Sequence, residues 1–218
     1  VYPDYEVGRS YDYVYGLDAL GVNPLSGELI FRDRQGGEQS FGKTIVREDL
    51  VGIGFRTPPY TGSFSLTFGY KALELDAQLY YVFGGFKPYS MTYVRGVSDI
   101  HRNAIAGQVS RTWFALGDEN RLYPNPRAGT QTFNNLAHYP NTRMISRSDY
   151  LRLSMLSLRY RLPSSLLQQM GNVVKYATIA LQGSNLFTLT PYKGGSPESG
   201  TYDLGVQPVL TLHLNLNF

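Results

Sequence analysis

The last ten residues, 209–218 (VLTLHLNLNF), alternate without a break. Leu210, Leu212, Leu214, Leu216 and Phe218 share one parity; Val209, Thr211, His213, Asn215 and Asn217 share the other. Successive side chains of a strand point to opposite faces, so the segment has one apolar face and one largely polar face. Ending such alternation on an aromatic is unusual for a soluble domain, whose termini tend to be polar and frayed. A strand with lipid on one side and water on the other requires this pattern. An inner strand of a soluble sandwich alternates in the same way. This strand alone does not separate the two.

Longer blocks upstream tip the balance. In 62–70, Phe64, Leu66, Phe68 and Tyr70 oppose Ser63, Ser65, Thr67 and Gly69. After a tight connection at Lys71-Ala72, Leu73, Leu75, Ala77, Leu79, Tyr81 and Phe83 alternate with Glu74, Asp76, Gln78, Tyr80 and Val82. A strand over 73–83 spans roughly 36 Å at ~3.3 Å per residue. Tilted by ~40° it projects to about 28 Å, near the ~25 Å apolar band of an outer-membrane barrel. Soluble strands usually run to about 5–6 residues.

Segment 150–162 (YLRLSMLSLRYRL) changes parity partway. Leu151 and Leu153 lie on one parity, then Leu156, Leu158, Tyr160 and Leu162 on the other. One extra residue near Met155 restores both halves, which predicts a β-bulge there. Segment 163–171 predicts a helical turn started by Ser164 or Ser165 and stopped by Gly171. In 173–187, Ala177, Ile179 and Leu181 oppose Tyr176, Thr178, Gln182 and Ser184, a further strand.

The remainder is less regular. Residues 1–10 read as irregular, 11–16 as a short strand, and 17–37 as a turn, a strand at 28–32 and a Gly-Gly turn. Residues 38–59 show no period and read as loop, closed by Pro58-Pro59. The longest non-strand region is 84–147, with room for a short helix in 91–113 and a Gly/Pro/Asn-rich loop over 116–140; 188–206 is a second long loop. Connections therefore alternate between short (71–72, 163–171) and long (84–147, 188–206). A compact soluble domain seldom carries roughly sixty residues of loop, whereas a membrane barrel has short turns on one side and long loops on the other.

Composition narrows the classes. No run approaches the ~20 apolar residues of a membrane helix, so helical spans are excluded while a barrel is not. Aromatic residues make up 14%, with 18 Tyr against one Trp, as in strand-rich structures with interfacial rings. Absence of cysteine rules out disulfides and thiolate metal sites. A net charge of +3 is too small to argue for nucleic acid. The start, VYPDYEVGRS, has neither a basic nor an apolar leader region, so an exported chain beginning here is expected to be a mature product or a fragment.

With these segments in view, the chain resembles the C-terminal part of the SusC/RagA family of TonB-dependent outer-membrane transporters of Bacteroidetes. The residues are YLRLSMLSLRYRLP (150–163), similar to the family's YLRLKNLTLGYxLP strand; GSNLFTLTPY (183–192), similar to GQNLFTxTxY; and the aromatic-ended last strand. Upstream, YGLDALGVNPLSG (15–27) resembles YxxAGLDPxTGxP, and 111–127, with Trp113, Gly117-Asp118 and Pro126-Arg127, resembles the RWxxPGD…PR loop. The chain departs in reading Ala115-Leu116-Gly117 where a Pro is usual, and Gln207-Pro208 matches loosely.

The resemblance implies an all-β, antiparallel transmembrane β-barrel segment, the last third of a barrel of about 22 strands, spanning 1–218 without the plug domain and TonB-binding segment. It implies an outer-membrane location and import of glycans or oligopeptides. The implied partners are the remaining barrel and plug, outer-membrane lipid, the TonB complex and a SusD-like surface lipoprotein. Two other classes remain open: a small stand-alone outer-membrane barrel with a structural role, and a soluble carbohydrate-binding β-sandwich.

Little chemistry points to an enzyme. His101, His138 and His213 stand far apart without ligand spacing, and nucleophile-elbow, P-loop and dinucleotide motifs are absent, so neither catalysis nor a cofactor is expected. Gly194-Gly195-Ser196 reads as loop, Asp118-Glu119-Asn120 as a solvated turn, and Glu74 with Asp76 as lumen carboxylates. Substrate contacts of a transporter belong on loop aromatics, which nominates Trp113, Phe114, Tyr123, Tyr139 and Tyr192; loop-core packing would use the same rings. Arg152, Arg159 and Arg161 form a basic row on the presumed lumen face, to attract anions or to pair with carboxylates of a neighbouring strand.

Overall fold

The computed structural model describes residues 7–88, 109–127, 129, 131–132, 134–135, 139–169, 173–199 and 205–218. Strands β1 (Tyr13–Val22), β2 (Leu29–Arg32), β3 (Glu38–Ser40) and β4 (Leu50–Phe55) form an antiparallel sheet in the order β3-β2-β1-β4. This corrects two expectations: 17–22 is strand, not turn, and 38–59 holds two strands. Breaks hid them. The β1 register slips between Ala19 and Gly21 against β2, and between Val14 and Tyr15 against β4. In β4, Gly52 and Gly54 stand where an apolar side chain would collide with the rings of Tyr13 and Phe86. Asn23 closes the first hairpin, its Oδ1 accepting the N–H groups of Leu25 (2.9 Å) and Ser26 (3.2 Å), an Asx turn.

The principal sheet contains β5 (Tyr60–Tyr70), β6 (Leu73–Phe83), β9 (Tyr150–Arg161), β10 (Tyr176–Leu189) and β11 (Val209–Asn217), all antiparallel, in the order β11-β10-β9-β6-β5. Between β6 and β9 the chain adds a pair that the sequence reading missed, β7 (Phe86–Pro88) with β8 (Ile145–Arg147). Each has three residues, too short to show a period. The expected helical turn is α1 (Ser164–Gln169); Gly171, its expected stop, and most of the helix expected in 91–113 lie outside the described residues. Lys71 takes a positive φ of 54° in the two-residue turn joining β5 to β6, as tight hairpins demand.

The bulge is present, one residue from its expected place. Met155 pairs with Gln78 and Leu153 with Leu79, so Ser154 is extra on β9. Across β10 the partners jump from Ser184 to Phe187, with Asn185 at φ 53°. Both shifts restore the faces. Register then aligns Phe68, Leu75, Leu158, Leu181 and Leu212 in one row across all five strands, and Leu66, Ala77, Leu156, Gly183 and Leu210 in the next.

This apolar face is uncovered. Phe68 is 66% exposed, Leu158 46% and Leu212 71%. No second sheet packs on it among the described residues, as a sandwich would require. Each large apolar side chain left in water forgoes about 1.5–3 kcal/mol, so in water the face would be a large cost. A protein core lies elsewhere, where Leu17, Val22, Leu29, Phe31 and Phe41 pack with Trp113, Tyr123 and Met144 beside the small sheet. The large sheet is open. β5 and β11 have no further partner strand among the described residues, and no closed barrel forms from these strands alone.

Candidate functional site

The second face of the large sheet is polar, and Arg159 on it is paired with carboxylates of a neighbouring strand. Arg159 on β9 bonds Glu74 on β6 and lies 3.9 Å from Asp76. Asp76 in turn accepts the Thr67 hydroxyl of β5 at 2.7 Å. Register sets His213 on the Glu74–Arg159 row, through Ala180. The basic row thus pairs with neighbouring carboxylates at Arg159, one of its two expected uses. Arg161 instead holds its guanidinium 5.6 Å from the Tyr176 ring centroid, a cation–π distance.

Arg152 anchors a dense polar cluster. It is buried, and its Nη1 donates to both Glu198 carboxylate oxygens at 3.0 Å while its Nε donates to Thr188 Oγ1 at 3.0 Å. The Tyr150 hydroxyl donates to the same carboxylate at 2.7 Å. Lys87 of β7 donates to the carbonyls of Pro197 (2.8 Å) and Glu198. Burial pushes the Lys87 ammonium below its ordinary range, and the Glu198 carboxylate partly restores it. The Thr190 hydroxyl donates to the Asp149 carbonyl at 2.6 Å, and the Tyr192 hydroxyl to the Pro88 carbonyl at 2.7 Å. These bonds tie the loop after β10 to the mouth of the sheet, where β6 ends and β9 begins.

The nominated aromatics divide. Trp113 and Tyr123 are buried in the core beside the small sheet, and Tyr139 packs against it. Gly27, at φ 70°, leaves the room the Trp113 ring occupies: a Cβ there would come within 2.5 Å of it. Tyr192 is buried within the clamped loop. Phe114 alone among the five is exposed, beside Leu116. Sequence reasoning missed Glu198, Tyr150, Thr188 and Lys87 as partners of Arg152. Tyr150 and Thr188 lie in the motif segments 150–163 and 183–192, with Tyr150 on the Arg152 parity, whereas Glu198 and Lys87 lie in neither.

Other candidates resolve locally. Asp118 caps its own loop, accepting the N–H groups of Phe114 (3.1 Å) and Ala115 (3.3 Å) and the Arg121 Nε at 2.9 Å. The Phe114 bond is the main reason its carboxyl sits below the usual range. Ser196 Oγ accepts the Glu198 N–H at 3.3 Å, a turn and not a phosphate cradle. His101 and His138 lie outside the described residues; no group of three His, Asp or Glu able to hold a metal occurs among the described ones.

No protein-family model and no curated protein matches the sequence. Solved structures do. The chain is 25% identical to a chain of the RagAB peptide transporter, with a TM-score of 0.65 over 86% of its own length. Against the RagAB peptide importer in its closed-closed state the figures are 27% and 0.58 over 86%, and in its open-open state 24% and 0.62 over 90%. The chain spans only about a fifth of those transporter chains (20% to 22%).

Proposed function

We propose that the chain is the C-terminal segment of the barrel of an outer-membrane peptide importer. The observation that carries this reading is the uncovered apolar face, five strands wide, backed by a polar face. A hydrocarbon phase is the medium in which that face costs nothing. The two edges, unpartnered among the described residues, argue that further strands complete the sheet, because open edges are not tolerated in lipid. The likeness to RagAB peptide transporter chains supports import over a structural barrel, and peptide over glycan as cargo.

In this reading the polar face lines the lumen, and the latched loop after β10 lies at the extracellular mouth. The sequence resemblance supplies the rest: a plug that the TonB complex pulls, and a SusD-like surface lipoprotein that closes over the loops. The work of this segment is then to line and shape a conduit, with no bond made or broken. The experiment is deletion of the gene encoding the complete chain, followed by growth on oligopeptides as the sole amino-acid source. Lost growth, restored by the intact gene and not by one truncated before residue 150, supports import. Unchanged peptide uptake would refute it.

A further inference from the structure

The 109–127 segment, the 141–143 turn and the loop after β10 meet at an open cleft of about 690 Å³. Four of its lining side chains are cationic: Arg111, Arg121, Arg143 and Lys193. Ser110 and Thr142 add hydroxyls, and none of its described lining residues is a carboxylate. Nearby acids are already engaged, two of them with side chains of the cleft itself. Asp118 serves its own loop and the lining Arg121 at 2.9 Å, Glu119 accepts the Gly117 N–H at 3.0 Å, and Asp18 pairs with Arg32 at 3.2 Å and accepts the lining Thr142 hydroxyl at 3.4 Å. Even with Asp118, Glu119 and Asp18 counted, the cleft's four cationic side chains keep a positive excess.

The guanidinium of Arg143 is positioned by carbonyls: Leu20 at 3.1 Å, Asn120 at 3.3 Å and Arg121 at 3.0 Å. Arg121 likewise bonds the Ser110 carbonyl. Carbonyl acceptors orient a guanidinium without cancelling its charge, which presets it for planar recognition of a carboxylate. The volume suits a ligand segment of a few residues, within the roughly 300–1,000 Å³ of small-ligand sites. Lys193 arrives on the loop that Glu198 ties to Arg152, so the cleft lies between the 109–127 segment and the loop latched to the large sheet.

We propose that this cleft binds carboxylate groups of peptides, so that acidic peptides are preferred cargo. The inference rests on the peptide-import reading. Its test uses the complete transporter and two fluorescent peptides of equal length, both amidated at the C-terminus and identical except that Glu in one is Gln in the other. Wild type binds the Glu peptide about tenfold more tightly, and Arg111→Gln with Lys193→Gln brings the ratio of the two Kd values close to one, as expected for two partly screened ion pairs. If the double variant fails to fold, Lys193→Gln alone, at an exposed loop position, lowers the preference about threefold.

Equal binding of the two peptides by wild type, or a preference that survives both variants, overturns the inference and leaves import standing. Displacement of the Glu peptide by inorganic phosphate but not by acetate at equal ionic strength overturns the carboxylate assignment. Failure of wild type to bind either peptide refutes peptide import itself.

Discussion

Arg152 and Glu198 meet with one Nη1 3.0 Å from both carboxylate oxygens, although 46 positions separate them along the chain. The guanidinium is nine-tenths buried and the carboxylate one-third exposed. Glu198→Gln keeps the shape and removes the charge that compensates a buried cation. Breaking a fully buried pair costs ~3–5 kcal/mol; with Glu198 partly in water, about 1–3 kcal/mol is expected. Hydrogen exchange over 190–199 should speed up while the β9 strand core stays protected. Unchanged exchange in that loop would show that the pair does not hold it.

Neighbouring positions on β11 separate the membrane reading from a water-soluble one. Leu212 lies on the apolar face and Thr211 on the polar one. Arginine facing the middle of a lipid bilayer costs roughly 2–4 kcal/mol, and in the lumen little. Leu212→Arg should therefore lower the amount of folded protein in the outer membrane, while Thr211→Arg leaves it near wild type. Equal tolerance of both, read by heat-modifiable mobility on gels, contradicts lipid contact at Leu212.

These two sites also mark what the sequence makes visible. The large sheet was legible because each strand keeps period two, and where β9 slips, its apolar and polar residues slip together. β4 was not, since Gly52 and Gly54 make way for rings of Tyr13 and Phe86 from elsewhere in the chain. The Arg152 face could be read from parity, but not its partner Glu198, which sits in a loop without a period. Trp113 and Tyr123 were legible as important rings, with substrate contact and loop-core packing both open, because aromatic type alone does not say which neighbours surround a loop.

Ser154 offers a test of register. Because the side-chain period is two, removing one residue turns everything on one side of the deletion to the other face. Deleting Ser154 would send Tyr150 and Arg152 to the apolar side, or Leu156 and Leu158 to the polar side, unless β10 also loses its counterpart shift near Asn185. Loss of folded protein from the outer membrane is expected, whereas Ser154→Ala, which keeps the count, should be close to neutral. Normal assembly of the deletion would mean that the bulge does not set the faces.

Acid should loosen the 114–121 loop before it touches the strands. Asp118 holds that loop through the N–H groups of Phe114 and Ala115 and through Arg121, and these bonds set its carboxyl below the ordinary 3.8. A carboxyl whose pKa is lower folded than unfolded contributes stability in full above its unfolded value. That contribution fades as pH falls from about 3.8 through the lowered folded value, when the acid becomes protonated and its acceptor strength drops. Hydrogen exchange over 111–123, corrected for the intrinsic pH dependence, should therefore accelerate below pH ~4. Asp118→Asn, which lacks the charge at every pH, should show the faster exchange already at neutral pH and no acid step. An acid step of undiminished size in Asp118→Asn would assign the transition to another group.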